Sequence, residues 1–287
     1  MPTSLLDSLH IRRLTREDLV SCADLSENRG WPREEHKWSL LLTAGTAYGI
    51  DDPFGKGLAA SCTVMSYGPE LAAIGMMLVA ERYARQGIGR HLMRHVLKES
   101  GDTPLTLHAT SQGQPLYEEL GFTTVGRAEM LRGCLRPPAN DVRSASITRP
   151  ATAEDLPRIV RLDTEVFGPD RTHMITRLPA FADHLRVAEE NGELTGYAAA
   201  WPNMETHVIG PLIARDTRTA QALITSLASA TDRPLRTDVD VRHQELLTWL
   251  TSHGLDSVAF NTVMTLGIEA LPGDWSRRFA PLSVAAG

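Results

Sequence analysis

Apolar positions in this chain switch repeatedly between the alternation of a half-buried strand and the three-to-four spacing of an amphipathic helix. The pattern predicts a strand at 11–14, helices at 16–27 and 32–43, and strands at 47–50, 58–67 and 71–79. A helix follows from Gly89, because Ile88, Leu92 and Val96 recur with Met93 and Leu97 on one apolar face and Gly101 offers a stop. A strand at 105–109, a short helix at 115–120 and a long strand after Gly121 complete the run.

The same order then recurs. Ile11-Arg12-Arg13 precedes Glu17-Asp18-Leu19, and Ile147-Thr148-Arg149 precedes Glu154-Asp155-Leu156. Gly121-Phe122-Thr123-Thr124-Val125 leads to Met130-Leu131-Arg132-Gly133, and Gly254-Leu255-Asp256-Ser257-Val258 leads to Met264-Thr265-Leu266-Gly267. Landmarks in one order at nearly constant spacing indicate a duplication. The second copy's counterpart helix falls at 217–230, carrying Leu223, Ile224, Leu227 and Ala228. The break is expected in Arg136-Pro137-Pro138-Ala139-Asn140-Asp141, where paired prolines end the last strand of the first copy, so the expected domains are 1–142 and 143–287. A length of 287 residues leaves each half enough chain for its own core.

Composition narrows the function classes. With 42% hydrophobic and 22% charged residues the chain is ordinary for a globular protein. A net charge of −6 and a pI near 5.9, without a basic cluster, argue against nucleic acid as a partner. Cys22, Cys62 and Cys134 are too scattered for a disulfide framework or a metal site, and suit reduced thiols in a cytoplasmic protein. No Cys-x-x-Cys pair suggests a bound metal, and no apolar run reaches membrane-spanning length, so neither a metal nor a membrane is expected.

The chemical centre is Arg85-Gln86-Gly87-Ile88-Gly89-Arg90, between the strand ending at Val79 and the helix from Gly89. Glycines at a helix N-terminus let backbone N–H groups close on a phosphate, and the helix end adds partial positive charge. A plain strand-to-helix turn is the competing reading. A dinucleotide fingerprint is excluded, because its third glycine would stand where Leu92 does and its loop would follow the strand directly.

This loop resembles the Arg/Gln-x-x-Gly-x-Gly/Ala motif of the GNAT acetyltransferase superfamily, and Leu116-Tyr117-Glu118-Glu119-Leu120-Gly121-Phe122 resembles its Leu-Tyr-x-x-Leu-Gly-Phe signature. The resemblance implies an α/β fold of two tandem GNAT-like domains, each with a mixed, mostly antiparallel central sheet flanked by helices. It implies acetyl-CoA as cosubstrate, with its pyrophosphate on Arg85, Gln86, Gly87, Ile88, Gly89 and Arg90. In one respect the chain departs from the family: the first Arg/Gln of the motif falls on Ala84, which leaves Arg82 or, better placed, Arg85 to supply the basic contact. The second copy resembles the divergent domain that follows a GNAT domain in some tandem bacterial acetyltransferases, notably at Ile209-Gly210-Pro211-Leu212-Ile213-Ala214, and lacks the glycine loop: Arg218 and Ala220 stand at its glycine positions when the helices are aligned.

Members of the family place the thioester where the central strand splays from its neighbour, so the resemblance implies that Met77, Leu78 and Val79 offer backbone groups to pantetheine and the thioester carbonyl. Tyr117 stands at the family's general-acid position, to protonate the departing thiolate, with a bonded core tyrosine as the plain alternative. His108, on the face of its strand opposite Leu107 and beside Thr110, is a candidate base or a structural histidine, and Thr110 holds a cofactor-side position where many members carry Asn. Trp31 and Glu35 are candidates for the acceptor pocket, against core and solvated-face readings, and the polar stretch from Asp163 to Arg171 is a candidate to reach the same cleft. The expected acceptor is a small-molecule or protein amine, and a homodimer is left open. The alternative is a non-catalytic acyl-CoA-binding or regulatory module, motivated by Ala84 and the missing second loop.

Overall fold

The computed structural model describes residues 9–136 and 147–287. The proline-rich break from Pro137 onward and the expected start of the second copy near Ser144 lie outside the described residues. The chain packs as two compact units, Met1–Leu107 with Ala286 and His108–Ala285 with Gly287.

In the first unit, β1 (Ile11–Leu14), β2 (Thr46–Asp51), β3 (Leu58–Ser66) and β4 (Ala72–Val79) pair antiparallel in that order, and β4 runs parallel to the start of β5 (Leu105–Ala109). Between β1 and β2 come a 3-10 turn (Arg16–Asp18), α1 (Leu19–Asn28) and α2 (Glu35–Ala44). The turn starts in a capping box: Thr15 N–H donates to Asp18 Oδ2 (2.8 Å), and Asp18 in turn receives Arg12 Nη2 (2.7 Å). The helix expected from residue 32 begins instead at Glu35, because Glu34 adopts a left-handed backbone (φ 45°). Trp38 is fully buried, with its indole N–H on Ser26 Oγ (2.9 Å). α3 (Ile88–Ser100) buries Ile88, Leu92, Met93 and Val96 against the sheet and stops at Gly101 (φ 57°).

In the second unit the sheet runs β12 (Leu255–Leu266), β6 (Thr123–Gly133), β11 (Leu235–Asp240), β10 (Thr206–Ala214), β9 (Glu193–Asn203), β8 (His184–Glu190), β7 (Thr148–Pro150), with β13 (Arg278–Ala280) on β10. The pairings repeat the first unit: β7 to β10 are antiparallel in sequence and β10 is parallel to β11. The capping box recurs, with Thr152 N–H on Asp155 Oδ2 (2.8 Å) and Arg149 Nη1 on the same oxygen (2.6 Å). The helices are α4 (Gln114–Glu119), α5 (Leu156–Phe167), α6 (Thr172–Ile175), α7 (Leu178–Phe181), α8 (Thr217–Ala228) and α9 (Gln244–Ser252). Leu223, Ile224 and Leu227 of α8 and Leu246 and Leu250 of α9 enter one core with Leu131, Leu212, Val239 and Phe279.

The compact units do not divide where the sequence repeat does. The last strand of the first repeat, β6, lies between β11 and β12 of the second and is antiparallel to both, Thr237↔Leu131 on one side and Ser257↔Leu131 on the other. A central strand with partners along both edges belongs to the unit that pairs it, so the contact boundary falls at Leu107/His108.

Candidate active site

The first unit brings together a splayed strand and an uncapped helix end. β4 pairs with β5 only from Ala72↔Leu105 to Ile74↔Leu107. Just beyond, Met76 takes φ 46° and the register against β3 slips between Ser61 and Thr63, a bulge that bends the strand. Ser61 Oγ–H, fully buried, donates to the Met76 carbonyl (3.0 Å) and holds the bulge in place. Met77, Leu78 and Val79 follow; Leu78 and Val79 remain paired with Ser61 and Ala60 on β3, and no residue of β5 within the first unit pairs with them.

From Val79 the chain passes through a 3-10 turn, Glu81–Tyr83, to α3. That turn is tied down by residues that the motifs do not contain. Tyr83 O–H donates to Asp52 Oδ1 (2.6 Å), Phe54 N–H donates to the same oxygen (2.9 Å), and Glu81 N–H donates to Asn28 Oδ1 (2.8 Å). Arg82 forms an ion pair with the buried Asp52, which commits it to the β2–β3 turn. Arg85 is exposed and has no ionic or hydrogen-bonding partner among the described residues, so of the two basic candidates it is the one left to meet an anion. Arg85 (φ 60°) and Gly87 (φ 84°) both turn left-handed, a sequence of conformations that aims successive N–H groups to one side. Gly87 caps α3 with no side-chain hydrogen bond. The N–H groups of Ile88, Gly89 and Arg90 precede any intrahelical acceptor, and they carry the positive end of the helix dipole.

The remaining candidates belong to the second unit or to the surface of the first. Tyr117, on α4, is 8% exposed and meets Phe122 edge-on (5.9 Å between ring centroids). Thr110 organises the turn into that helix: its Oγ1 accepts from Gly113 N–H (3.2 Å) and its carbonyl accepts from Gln114 N–H (2.9 Å). A Cβ on Gly113 would stand 3.2 Å from the Tyr117 ring and 3.5 Å from Thr110 Oγ1, so a glycine keeps these two side chains close. His108 retains some accessible surface but sits deep in the fold. Burial, reinforced by the Arg278 charge, pulls its pKa down to about 4 against a hydrogen bond to the Val284 backbone. It is neutral at pH 7 and a poor proton acceptor.

Trp31 is 37% exposed, outside the core. Glu35 joins a surface ion network in which Arg33 also meets Asp24 and Glu27. The buried carboxylate of that segment is its neighbour Glu34, ion-paired with buried Lys37, a pair that the solvated-face reading of the helix did not single out. The polar run from Asp163 to Arg171 folds inward: Asp163, fully buried, takes Arg171 side-on (2.8 and 2.7 Å) and accepts from Tyr197 O–H, and Arg171 lies over the Phe167 ring. The Asp163–Arg171 pair is internal, while Thr164, Glu165 and Asp170 stay exposed. Among the described residues no cluster of His, Cys, Asp and Glu could hold a metal ion, and no helix is long and apolar enough to cross a membrane.

Comparison with known proteins identifies the family. Two families, each described as an acetyltransferase (GNAT) domain, match residues 61–136 and 159–280. The uncharacterized N-acetyltransferase YitH of Bacillus subtilis is 27% identical over 237 residues, covering 82% of this chain and 83% of its own. A Pyrococcus horikoshii protein solved as a candidate acetyltransferase superposes with a TM-score of 0.82 over 100% of this chain and 99% of its own, at 20% identity. A tandem GNAT protein from the clavulanic acid biosynthesis pathway superposes with a TM-score of 0.64 over 90% of this chain and 98% of its own, at 12% identity. With two matched domains, the repeated strand order and the bulged central strand, this chain belongs to the GNAT acetyltransferase superfamily, in its tandem form.

Proposed function

We propose that the chain is an acetyl-CoA-dependent N-acetyltransferase whose cofactor site lies in the first repeat. The observation that carries this is the conjunction, within one unit, of a strand freed from its parallel neighbour at the Met76 bulge and an uncapped helix end at Gly87. Backbone groups of Met77, Leu78 and Val79 then bind pantetheine and polarise the thioester carbonyl, and the N–H groups from Ile88 to Arg90 bind the pyrophosphate with Arg85 and Gln86 beside them. The acceptor's amine nitrogen attacks the thioester carbon and the C–S bond breaks from the tetrahedral intermediate. The CoA thiolate takes the Tyr117 hydroxyl proton, the amine gives its surplus proton to solvent, and the Tyr117 phenolate takes a proton back from solvent, so the cycle closes. With its pKa pulled down to about 4 by burial, His108 is a weak base for the amine's proton. The acceptor is a primary amine on a small molecule or a protein, and the protein acts in the cytoplasm without nucleic acid or membrane partners.

Gly87→Trp places a bulky side chain at a left-handed position in the loop and should abolish acetyl-CoA binding in calorimetry at a stability cost of about 1–2 kcal/mol, which a melt would register without loss of the folded state. Undiminished affinity would move the cofactor elsewhere. Ala84 and the weak basicity of His108 favour a second reading, a non-catalytic acyl-CoA sensor. Release of free CoA across a panel of amines separates the two, since a sensor binds without turnover.

A further inference from the structure

The second repeat contains the same bulged strand as the first. β10 pairs parallel with β11 from His207↔Leu235 to Ile209↔Thr237, then slips register against β9 between Ile209 and Leu212, across a cis Gly210-Pro211 bond. In the first repeat the corresponding strand is left without a β5 partner within its unit past the bulge. In the second, the chain supplies a partner: β13 pairs antiparallel with β10 at Leu212↔Ala280 and Ile213↔Arg278, the two positions that follow the bulge. Arg277 O extends the pairing by accepting from Ala214 N–H (3.1 Å). β13 is locked from its other side, where His243 stacks on Phe279 (3.9 Å) and its ring N–H donates to the Arg278 carbonyl (2.8 Å). The residues after it continue the filling. Trp201 Nε1–H donates to Leu282 O (3.2 Å), and a Cβ on Gly210 would stand 2.2 Å from the Pro281 carbonyl, so the backbones meet where only glycine fits.

The helix end is filled as well. Only Arg215 and Asp216 separate β10 from α8, and Asp216 caps the helix: its Oδ1 accepts from Thr219 N–H and from Thr219 Oγ1–H, both at 2.8 Å. Burial works against the Asp216 charge, but these bonds outweigh it and hold its carboxyl below the usual range. Arg215 pairs with both Asp216 and Glu190. A fixed carboxylate stands where the first repeat has Gly87 and no cap.

We propose that the second repeat carries an acyl-CoA cleft occupied by its own chain, with Asp216 in the place of the phosphate and residues 278–282 in the place of the pantetheine arm. The chain therefore takes up one acyl-CoA, and β13 is a constant part of the second unit and not a strap that yields to cofactor. This rests on the reading of the first cleft given above, and two measurements keep them apart. In native mass spectrometry of the full chain with acetyl-CoA, one equivalent is expected on the wild type and none on Gly87→Trp. Two equivalents, falling to one in Gly87→Trp, would overturn the self-occupied cleft and leave the first site standing; one equivalent kept in Gly87→Trp would overturn both. Hydrogen exchange of residues 278–282 judges the filling independently of any binding at the first site. Slow exchange, unchanged by millimolar acetyl-CoA, is expected even if the first cleft proves not to bind. Fast exchange there, or protection lost on adding acetyl-CoA, would overturn the proposal.

Discussion

An imidazole with a pKa near 4 takes up its proton in the unfolded chain, at about 6.5, well before it does in the folded one. For His108 the folded pKa is the lower, so its contribution to stability is complete above about pH 6.5 and is lost as pH falls toward 4. The full difference corresponds to at most about 3 kcal/mol. Denaturant midpoints of the wild type should therefore fall between pH 7 and 4, and those of His108→Gln should fall less steeply. The comparison between the two proteins matters because burial also lowers His173 and His243. Equal slopes would mean that His108 titrates normally and would restore it as a base. Tyr117 offers the opposite kind of test. Tyr117→Phe keeps the ring and its edge-on contact with Phe122 while removing the proton donor, so acetyl-CoA affinity should hold. Turnover should fall by about 10²–10⁴-fold if the hydroxyl is the acid. Unchanged kcat, with chemistry shown to limit the rate, would reduce Tyr117 to packing.

At the level of elements, the two capping boxes are a matched pair in unequal surroundings. The Asp155 side chain is 3% exposed and that of Asp18 is 13%, and each satisfies a backbone N–H, a threonine and an arginine. Asp155→Ala should cost about 1–3 kcal/mol, more than Asp18→Ala at about 0.5–2 kcal/mol, because it strands its partners in a drier place. Thermal melts of the two variants in parallel would check the order. Much at this scale was legible in the sequence. β5 spans the expected 105–109, and the apolar face of α3 is the one read from Leu92, Met93 and Val96, since periodicity reports burial directly. Other features depend on distant residues and leave no local mark. Glu34 shortens α2 through a backbone conformation that propensity does not anticipate. Asp52 and Asn28 tie down the Glu81–Tyr83 turn from segments far along the chain. β13 is too short for any alternation to show, and its place beside β10 depends on the bulge there.

Across the whole molecule, the duplication visible in the sequence and the units that pack are different divisions of the chain. A strand's own residues encode which face is buried but not which neighbour it pairs with, so the membership of β6 was not readable from its alternation. Its place between β11 and β12 has a consequence for the separated repeats. A fragment of residues 143–287 ends its sheet at β11, leaves β12 without the strand that joins it, and loses Leu131 from the core, which exposes Val239, Leu250 and Leu255. Two unpaired strand edges beside an open apolar core favour aggregation. The fragment expressed alone should therefore be insoluble or lack dispersed amide resonances. A fragment of residues 108–287, which retains α4 and β6, should give a cooperative melt and dispersed amides. Comparing the two by circular dichroism and by two-dimensional NMR makes the test independent of catalysis. A well-folded 143–287 fragment, melting as cooperatively as 108–287, would show that the second repeat closes its own sheet and that β6 is dispensable to it.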